Sequence, residues 1–252
     1  MIKVDLKSRS IHLMGSTITI SILHEDADSL LDQVFSLLRL YEKRFSANDD
    51  SSELMQINHA AGKHAVCVHP DLFELIELGK KHSLAPDSHL NITLGPLVQT
   101  WRIGFADAKV PSPKEIKQAL ALTDPECIEL DAATSSVFLT MEGMKIDLGA
   151  LAKGYIADKI AAFLRRQGVT SALINLGGNI LTIGLNEKNN RCWWIGIQNP
   201  SLPRGNDLAL LSIQDQSVVT SGIYERKLQV DGRVYHHIFD RTTGYPIDNQ
   251  LA

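Results

Sequence analysis

Several function classes are excluded by what the sequence has little of. Its 252 residues include three cysteines, Cys67, Cys127 and Cys192. They are far apart and odd in number, so they form neither a disulfide framework nor a paired Cys-x-x-Cys metal site. They read as free, partly buried thiols. No stretch reaches the ~20 apolar residues of a membrane-spanning helix. No run of Lys or Arg exceeds two, as at Lys80-Lys81 and Arg165-Arg166, and the net charge is −4. The basic stripe of a nucleic-acid binder is therefore missing. The N-terminus, MIKVDLKSRSIHLMGSTITISI, lacks a charged-then-apolar signal pattern. The expectation is a cytoplasmic protein, unless a leader was removed ahead of residue 1. No repeat, low-complexity segment or clear linker interrupts the chain.

What is present is ordinary globular material, 44% hydrophobic and 21% charged, enough for a sizeable core. Residues 11–22 alternate and are rich in β-branched side chains, which predicts one strand. Leu30, Val34, Leu37, Leu38 and Tyr41 recur at helical spacing within 26–46. A polar loop follows, with Ser51 or Ser52 suited to cap a short helix. Pro70 suits the first turn of a helix over 70–83. Residues 88–105 are apolar but broken by Gly95-Pro96. A helix over 111–122 and a hairpin from 127–131 to 136–141 come next. Residues 171–184 read as a strand, followed by strands over 193–200, 208–222, 223–230 and 233–240. Strands and helices mixed in this way, with late hairpins, predict an α+β fold rather than a regular βαβ winding. The expectation is a single domain over 1–252, with mixed sheets and flanking helices.

Four stretches carry possible chemistry. In 147-DLGALAKGY-155 a helix opens with Asp147, Gly149, Lys153 and Gly154 crowded together. A helix N-terminus suits phosphate, and glycine admits a close ligand. Asp147 could equally be a plain N-cap and Lys153 a solvated charge. Thr220-Ser221-Gly222 offers two hydroxyls at a strand end. His236 and His237 are adjacent and would point to opposite faces of a strand. Asp240 and the residues after it, DRTTG, also read as a turn in which Asp240 bonds the backbone two residues on. Asn91 and Thr93 precede Gly95-Pro96 and Trp101, and could read the edge of a planar heterocycle or form only a turn beside a core tryptophan. Met14-Gly15-Ser16 offers a methionine for an aromatic ring or for the core. NLGGN follows a strand but opens no helix, so it is not a dinucleotide fingerprint.

In order along the chain, MGS, FSxxxxxSELxxIN, NITLGPLVxxW, DLGALAKGYxxD, LINLGGN, TSGxYER and HHIFDxxTGYP resemble the ApbE family, the FAD:protein FMN transferases. The resemblance runs from about Met14 to Ala252. It implies cleavage of FAD at its pyrophosphate, transfer of FMN to a Thr or Ser hydroxyl of an acceptor flavoprotein subunit, and release of AMP, with Mg²⁺ as the metal. It also leaves open an FAD pyrophosphatase giving FMN and AMP, or a non-catalytic FAD-binding protein. By motif position, His237 would take the proton of the incoming hydroxyl. Met14, Asn48, His89, Leu90, Asn91, Asp147, Lys153, Thr220, Ser221, Gly222 and Phe239 would contact FAD, and the Ala150 carbonyl would help hold Mg²⁺. Two departures stand out. Many relatives carry Asp where this chain has Asn91. The family's side-chain metal ligands, an Asp followed four residues later by a Thr, lie C-terminal to TGYP, beyond Ala252. That ending reads as a piece of a longer protein, the alternative being a short homologue with impaired metal binding.

Overall fold

A computed structural model describes residues 5–186, 189–203, 205–222 and 226–247. Strands β1 (Leu6–Leu13) and β2 (Ser16–Leu23) lead into α1 (Ala27–Phe45) and α2 (Glu53–Ala60). Then come β3 (Val66–Cys67), α3 (Pro70–Ser83), α4 (Gly95–Trp101) and α5 (Pro113–Leu120). After β4 (Ile128–Asp131), β5 (Ser136–Leu139) and α6 (Ala152–Arg166), the rest is strand: β6 (Ser171–Leu176), β7 (Asn179–Ile183), β8 (Trp193–Gln198), β9 (Asp207–Ile213), β10 (Ser217–Val219), β11 (Lys227–Val230) and β12 (Arg233–His236). The fold is α+β, as the mixing of elements predicts. None of the described helices is long and apolar enough to cross a membrane.

The chain folds as two compact units, Met1–Glu42 with Lys153–Ser221, and Lys43–Ala152 with Gly222–Ala252. Each is assembled from two separated stretches, so no linker marks the division in the sequence. The first unit holds a five-stranded sheet in the order β1-β2-β6-β7-β10 and a ribbon of β8 with β9. One face of the sheet is set by alternation. Ile18, Ile20 and Ile22 pair with Leu176, Ile174 and Ala172, and all six are fully buried. In α1, Leu30, Leu31, Val34, Leu38 and Tyr41 are buried at helical spacing.

Two expected single strands are instead hairpins. Leu13 pairs with Ser16, and the two residues between them, Met14 (φ 51) and Gly15 (φ 68), are left-handed. That is the type I′ pattern, whose twist matches the flanking strands. Likewise Leu176 pairs with Asn179 around Gly177 (φ 65) and Gly178 (φ 94). Both turns occupy only two residues between β-rich flanks.

The second unit holds the sheet β3-β5-β4, the ribbon β11-β12 and helices α2 to α5. Ser52 caps α2 by accepting from Met55 N at 3.0 Å. Ser112 and Glu115 form a reciprocal capping box on α5. Gly95-Pro96 does not break a segment; it opens α4, with proline in the first turn where its missing N–H costs nothing. Leu97 and Trp101 of α4, Ile103, Ile116 and Ala119 of α5, and Phe239 form one buried cluster. Trp101 is at its centre, its ring centroid 5.4 Å from that of Tyr235, 6.1 Å from Phe239 and 5.8 Å from Tyr245. Its Nε1 donates to the Gly244 carbonyl at 3.1 Å. Trp101→Ala is expected to destabilise the protein by about 3–5 kcal/mol, measured as a fall in the urea midpoint at unchanged m-value.

Candidate functional site

The sequence-predicted residues divide between the units. Met14, Lys153, Thr220 and Ser221 belong to the first; Asn48, His89, Leu90, Asn91, Asp147, Ala150, Gly222, His237 and Phe239 belong to the second.

In the second unit, the segment ahead of α6 is irregular and needs partners for its main chain. Asn58 of α2, itself buried, supplies them. Its Nδ2 donates to the Ile146 carbonyl at 3.0 Å and its Oδ1 accepts from Ile146 N at 2.8 Å. Next along, Asp147 N donates to the Ile92 carbonyl at 2.8 Å. The chain at Asp147 is thus pinned to α2 on one side and to the Asn91 segment on the other. Asp147 does not cap α6. Its Oδ1 accepts from Gly149 N at 2.8 Å, and the Leu148 carbonyl accepts from Leu151 N and Ala152 N. This tight turn delays the helix to Ala152, so Gly149 and Ala150 stand outside it, exposed, and Lys153 falls in its first turn.

The segment 89–91 is held as firmly. Asn91 Nδ2 donates to the Thr123 carbonyl at 2.7 Å, and its Oδ1 accepts from Thr93 N and Thr93 Oγ1 at 2.8 and 2.6 Å. With its oxygen filled and the residue buried, the amide serves the backbone rather than offering an open edge. His89 is exposed and Leu90 half-buried; Asn48 lies exposed in the loop before α2.

His237 directly follows β12 and is half-buried. Burial of the ring lowers its pKa from the usual histidine value. The Arg226 backbone opposes the fall, while the charges of Arg226 and His236 add to it. Its buried Nδ1 has no hydrogen bond of ordinary geometry. His236 differs: it is buried, and its Nδ1 accepts from Ile238 N at 3.2 Å. Neither histidine is exposed, His236 being buried and His237 half-buried. Phe239 is in the core cluster. Asp240 closes the following turn. Its Oδ1 accepts from Thr242 N at 2.7 Å and Thr242 Oγ1 at 2.6 Å, and the Thr242 hydroxyl is the main reason its carboxyl pKa is lowered.

In the first unit, the two hairpin turns and the start of α6 share a small space. A Cβ added to Gly177 would fall 2.3 Å from Ser16 Oγ and 3.2 Å from Lys153 Nζ. Ser16 Oγ is buried and has no hydrogen-bond partner among the described residues. Thr220 and Ser221 are exposed, and a Cβ on Gly178 would sit 4.0 Å from Thr220 Oγ1. Met14 occupies the turn itself, its N–H donating to Glu42 at 2.8 Å.

Among the described residues, no group of three or more His, Cys, Asp or Glu could hold a metal ion. The exposed Ala150 can offer its carbonyl, but one carbonyl does not make the octahedral oxygen shell that Mg²⁺ takes. The residues described here therefore do not by themselves fit a Mg²⁺ site. Three residues that hold the candidate segments and that the sequence does not single out are Asn58, Ser83 and Arg241. Asn58 and Arg241 lie inside motif segments, but their partners are 88 and 151–158 residues away and leave no local signature.

Compared with known proteins, residues 14–252 match the sequence model of the ApbE family. An FAD:protein FMN transferase of Klebsiella pneumoniae (strain 342) is 46% identical over 244 residues, covering 97% of this chain and 75% of that protein. One from Treponema pallidum (strain Nichols) is 39% identical over 233 residues, covering 88% and 64%. The crystal structure of the ApbE protein of Thermotoga maritima superposes with a TM-score of 0.86 at 28% identity, over 96% of this chain and 78% of the other. The flavin transferase ApbE of Vibrio cholerae superposes with a TM-score of 0.84 at 26% identity, over 98% and 80%.

The Asn58 clamp makes a direct prediction. Asn58→Ala leaves the N–H and C=O of fully buried Ile146 unpaired, at a cost of roughly 1–3 kcal/mol each. Asn58→Asp keeps the acceptor but turns a second lone pair toward the Ile146 carbonyl. Both should lower the urea midpoint; a wild-type midpoint for either would contradict the clamp.

Proposed function

This chain belongs to the ApbE family, and from that premise we propose that it is an FAD:protein FMN transferase. The hydroxyl oxygen of a Thr or Ser on an acceptor flavoprotein attacks the FMN phosphorus of FAD. A new P–O ester bond forms, the pyrophosphate P–O bond breaks, and AMP leaves. The observation that carries this reading is the 46% identity to a named FAD:protein FMN transferase over 97% of the chain.

His237 is assigned the proton of the incoming hydroxyl. A general base must be neutral at the working pH, and burial, which lowers the His237 pKa, keeps it so. Asp147, set by the Asn58 and Ile92 bonds, and Lys153, in the first turn of α6, are assigned contacts to FAD. Met14, Asn48, His89, Leu90, Asn91, Thr220, Ser221, Gly222 and Phe239 are assigned the remaining contacts, with buried Asn91 and Phe239 acting through main chain or by shaping the pocket. When bound, Mg²⁺ would neutralise pyrophosphate charge, with Ala150 giving one carbonyl of its shell. We propose a cytoplasmic location, with an exported form as the alternative if a leader was removed ahead of residue 1.

The test incubates the full protein with FAD, Mg²⁺ and an acceptor flavoprotein. Covalently fluorescent acceptor together with AMP is expected. FMN and AMP without labelled acceptor would make it an FAD pyrophosphatase, and tight FAD binding with neither product would make it a binding protein. His237→Ala is expected to lower transfer by about 10²–10⁴-fold while FAD affinity changes little; equal losses in both would remove His237 as base. Because its pKa is lowered, kcat/KM should be flat from pH 7 to 8. It should fall only as the pH drops below the ordinary histidine value of about 6.5. A profile still rising between pH 7 and 8 would place the proton elsewhere.

A further inference from the structure

We infer that Arg241 is a positioning residue for FAD. It would fix the 83–91 segment, which carries His89, Leu90 and Asn91, against the short segment that carries His237. The inference rests on the FAD-contact part of the reading above, which takes those residues as FAD contacts, and not on FMN transfer.

The observation is a convergence of main-chain carbonyls on one side-chain nitrogen. Arg241 Nη1 lies 2.9 Å from the Ser83 carbonyl, 3.0 Å from that of Ser88 and 3.4 Å from that of Leu90. Ser83 is the last residue of α3, where carbonyls lack intrahelical partners and a cation is favoured. The carbonyls of Ser88 and Leu90 belong to the irregular chain beyond it. Arg241 therefore does two things at once: it caps α3 and folds the following loop around its guanidinium.

Both ends of this bond set are rigid. On the loop side, Ser83 Oγ donates to the Gly79 carbonyl at 2.7 Å and accepts from Ile92 N at 3.0 Å. Leu90 N donates to Ser88 Oγ at 3.2 Å. On the arginine side, the 240–244 turn is closed by Asp240 Oδ1, by Gly244 N donating to the Asp240 carbonyl at 2.9 Å, and by Asp240 N donating to the Tyr245 carbonyl at 2.8 Å. Trp101 holds Gly244 from below. His237 is four residues before Arg241 on this braced segment. Arg241 is thus a direct tie between a candidate binding segment and the candidate base, although 151 residues separate it from Leu90.

A purely structural arginine and a positioning one differ in what their loss changes. Loss of a cap alone would lower the melting temperature and the folded fraction, leaving FAD affinity of the folded protein unchanged. Loss of positioning changes that affinity, because small displacements of contact groups are costly. The measurement is the FAD Kd of folded protein, from flavin fluorescence quenching, with melting temperature recorded in parallel. Arg241→Ala is expected to raise the FAD Kd about tenfold or more. Arg241→Lys, whose ammonium carries three donors for the three carbonyls, is expected to recover most of that loss. If Arg241→Ala does not fold, Arg241→Met keeps the packed stem and removes the donors, and the same rise is expected. A wild-type Kd in folded Arg241→Ala or Arg241→Met overturns the proposal. So does failure of both variants to fold, which would make the arginine a structural cap. The measurement needs no turnover: a wild-type protein that binds FAD without transferring FMN would sink the transferase reading and leave this inference intact.

Discussion

Leaving a buried indole N–H unpaired is costly, and in the second unit the Trp101 N–H has its partner. Trp101 is completely enclosed, and its Nε1 donates to the Gly244 carbonyl. That bond draws the 235–246 segment onto α4. Tyr235, Phe239 and Tyr245 then surround the ring, and the cluster buries Phe239 with Leu97 and Ile116. His237, Asp240 and Arg241 are carried on the same segment. The tryptophan cluster and the bonds of Asp240 and Arg241 together seat this segment.

The dependence runs further through Arg241. Once the turn at 240–244 is seated, the guanidinium collects the carbonyls of Ser83, Ser88 and Leu90, and the Asn91 amide ties the same stretch to Thr123. Ile92 then receives Asp147 N, while Asn58 grips Ile146. A chain of main-chain bonds thus runs from α4 to the start of α6. Each link is worth only about 0.5–1.5 kcal/mol net, yet each orphaned partner would cost more, so the links are mutually enforcing.

Much of this fold was legible in the sequence because periodicity reports burial. The helical spacing of Leu30, Val34, Leu38 and Tyr41 leads directly to α1, and the helix over 111–122 is found as α5. Met14-Gly15 and Gly177-Gly178 each reverse the chain in only two residues, and the β-rich flanks on either side read as one strand where a hairpin stands. Gly95-Pro96 was read as a break because proline both stops and starts helices. Which one it does depends on whether the following residues can bury a face, as Leu97 and Trp101 do. At the site, the motif spacing gave the candidate residues but not their division between two units, nor the delay of α6 to Ala152. That delay is set by the Asp147 Oδ1–Gly149 bond, a local competition between side chain and helix that spacing alone does not resolve.

The motifs mix two kinds of polar residue, and the structure separates them by where their bonds go. Irregular backbone buried near a binding site cannot satisfy itself as a helix or sheet does, so side chains must take over. Asn58, Ser83, Asn91, Asp240 and Arg241 all direct their polar atoms at main chain. Their types suit the bonds they make: an amide meets one N–H and one C=O at once, and a long cationic side chain gathers several carbonyls. His237 is of the other kind. Its Nδ1 is buried without a hydrogen bond of ordinary geometry, and its ring is biased toward the neutral form.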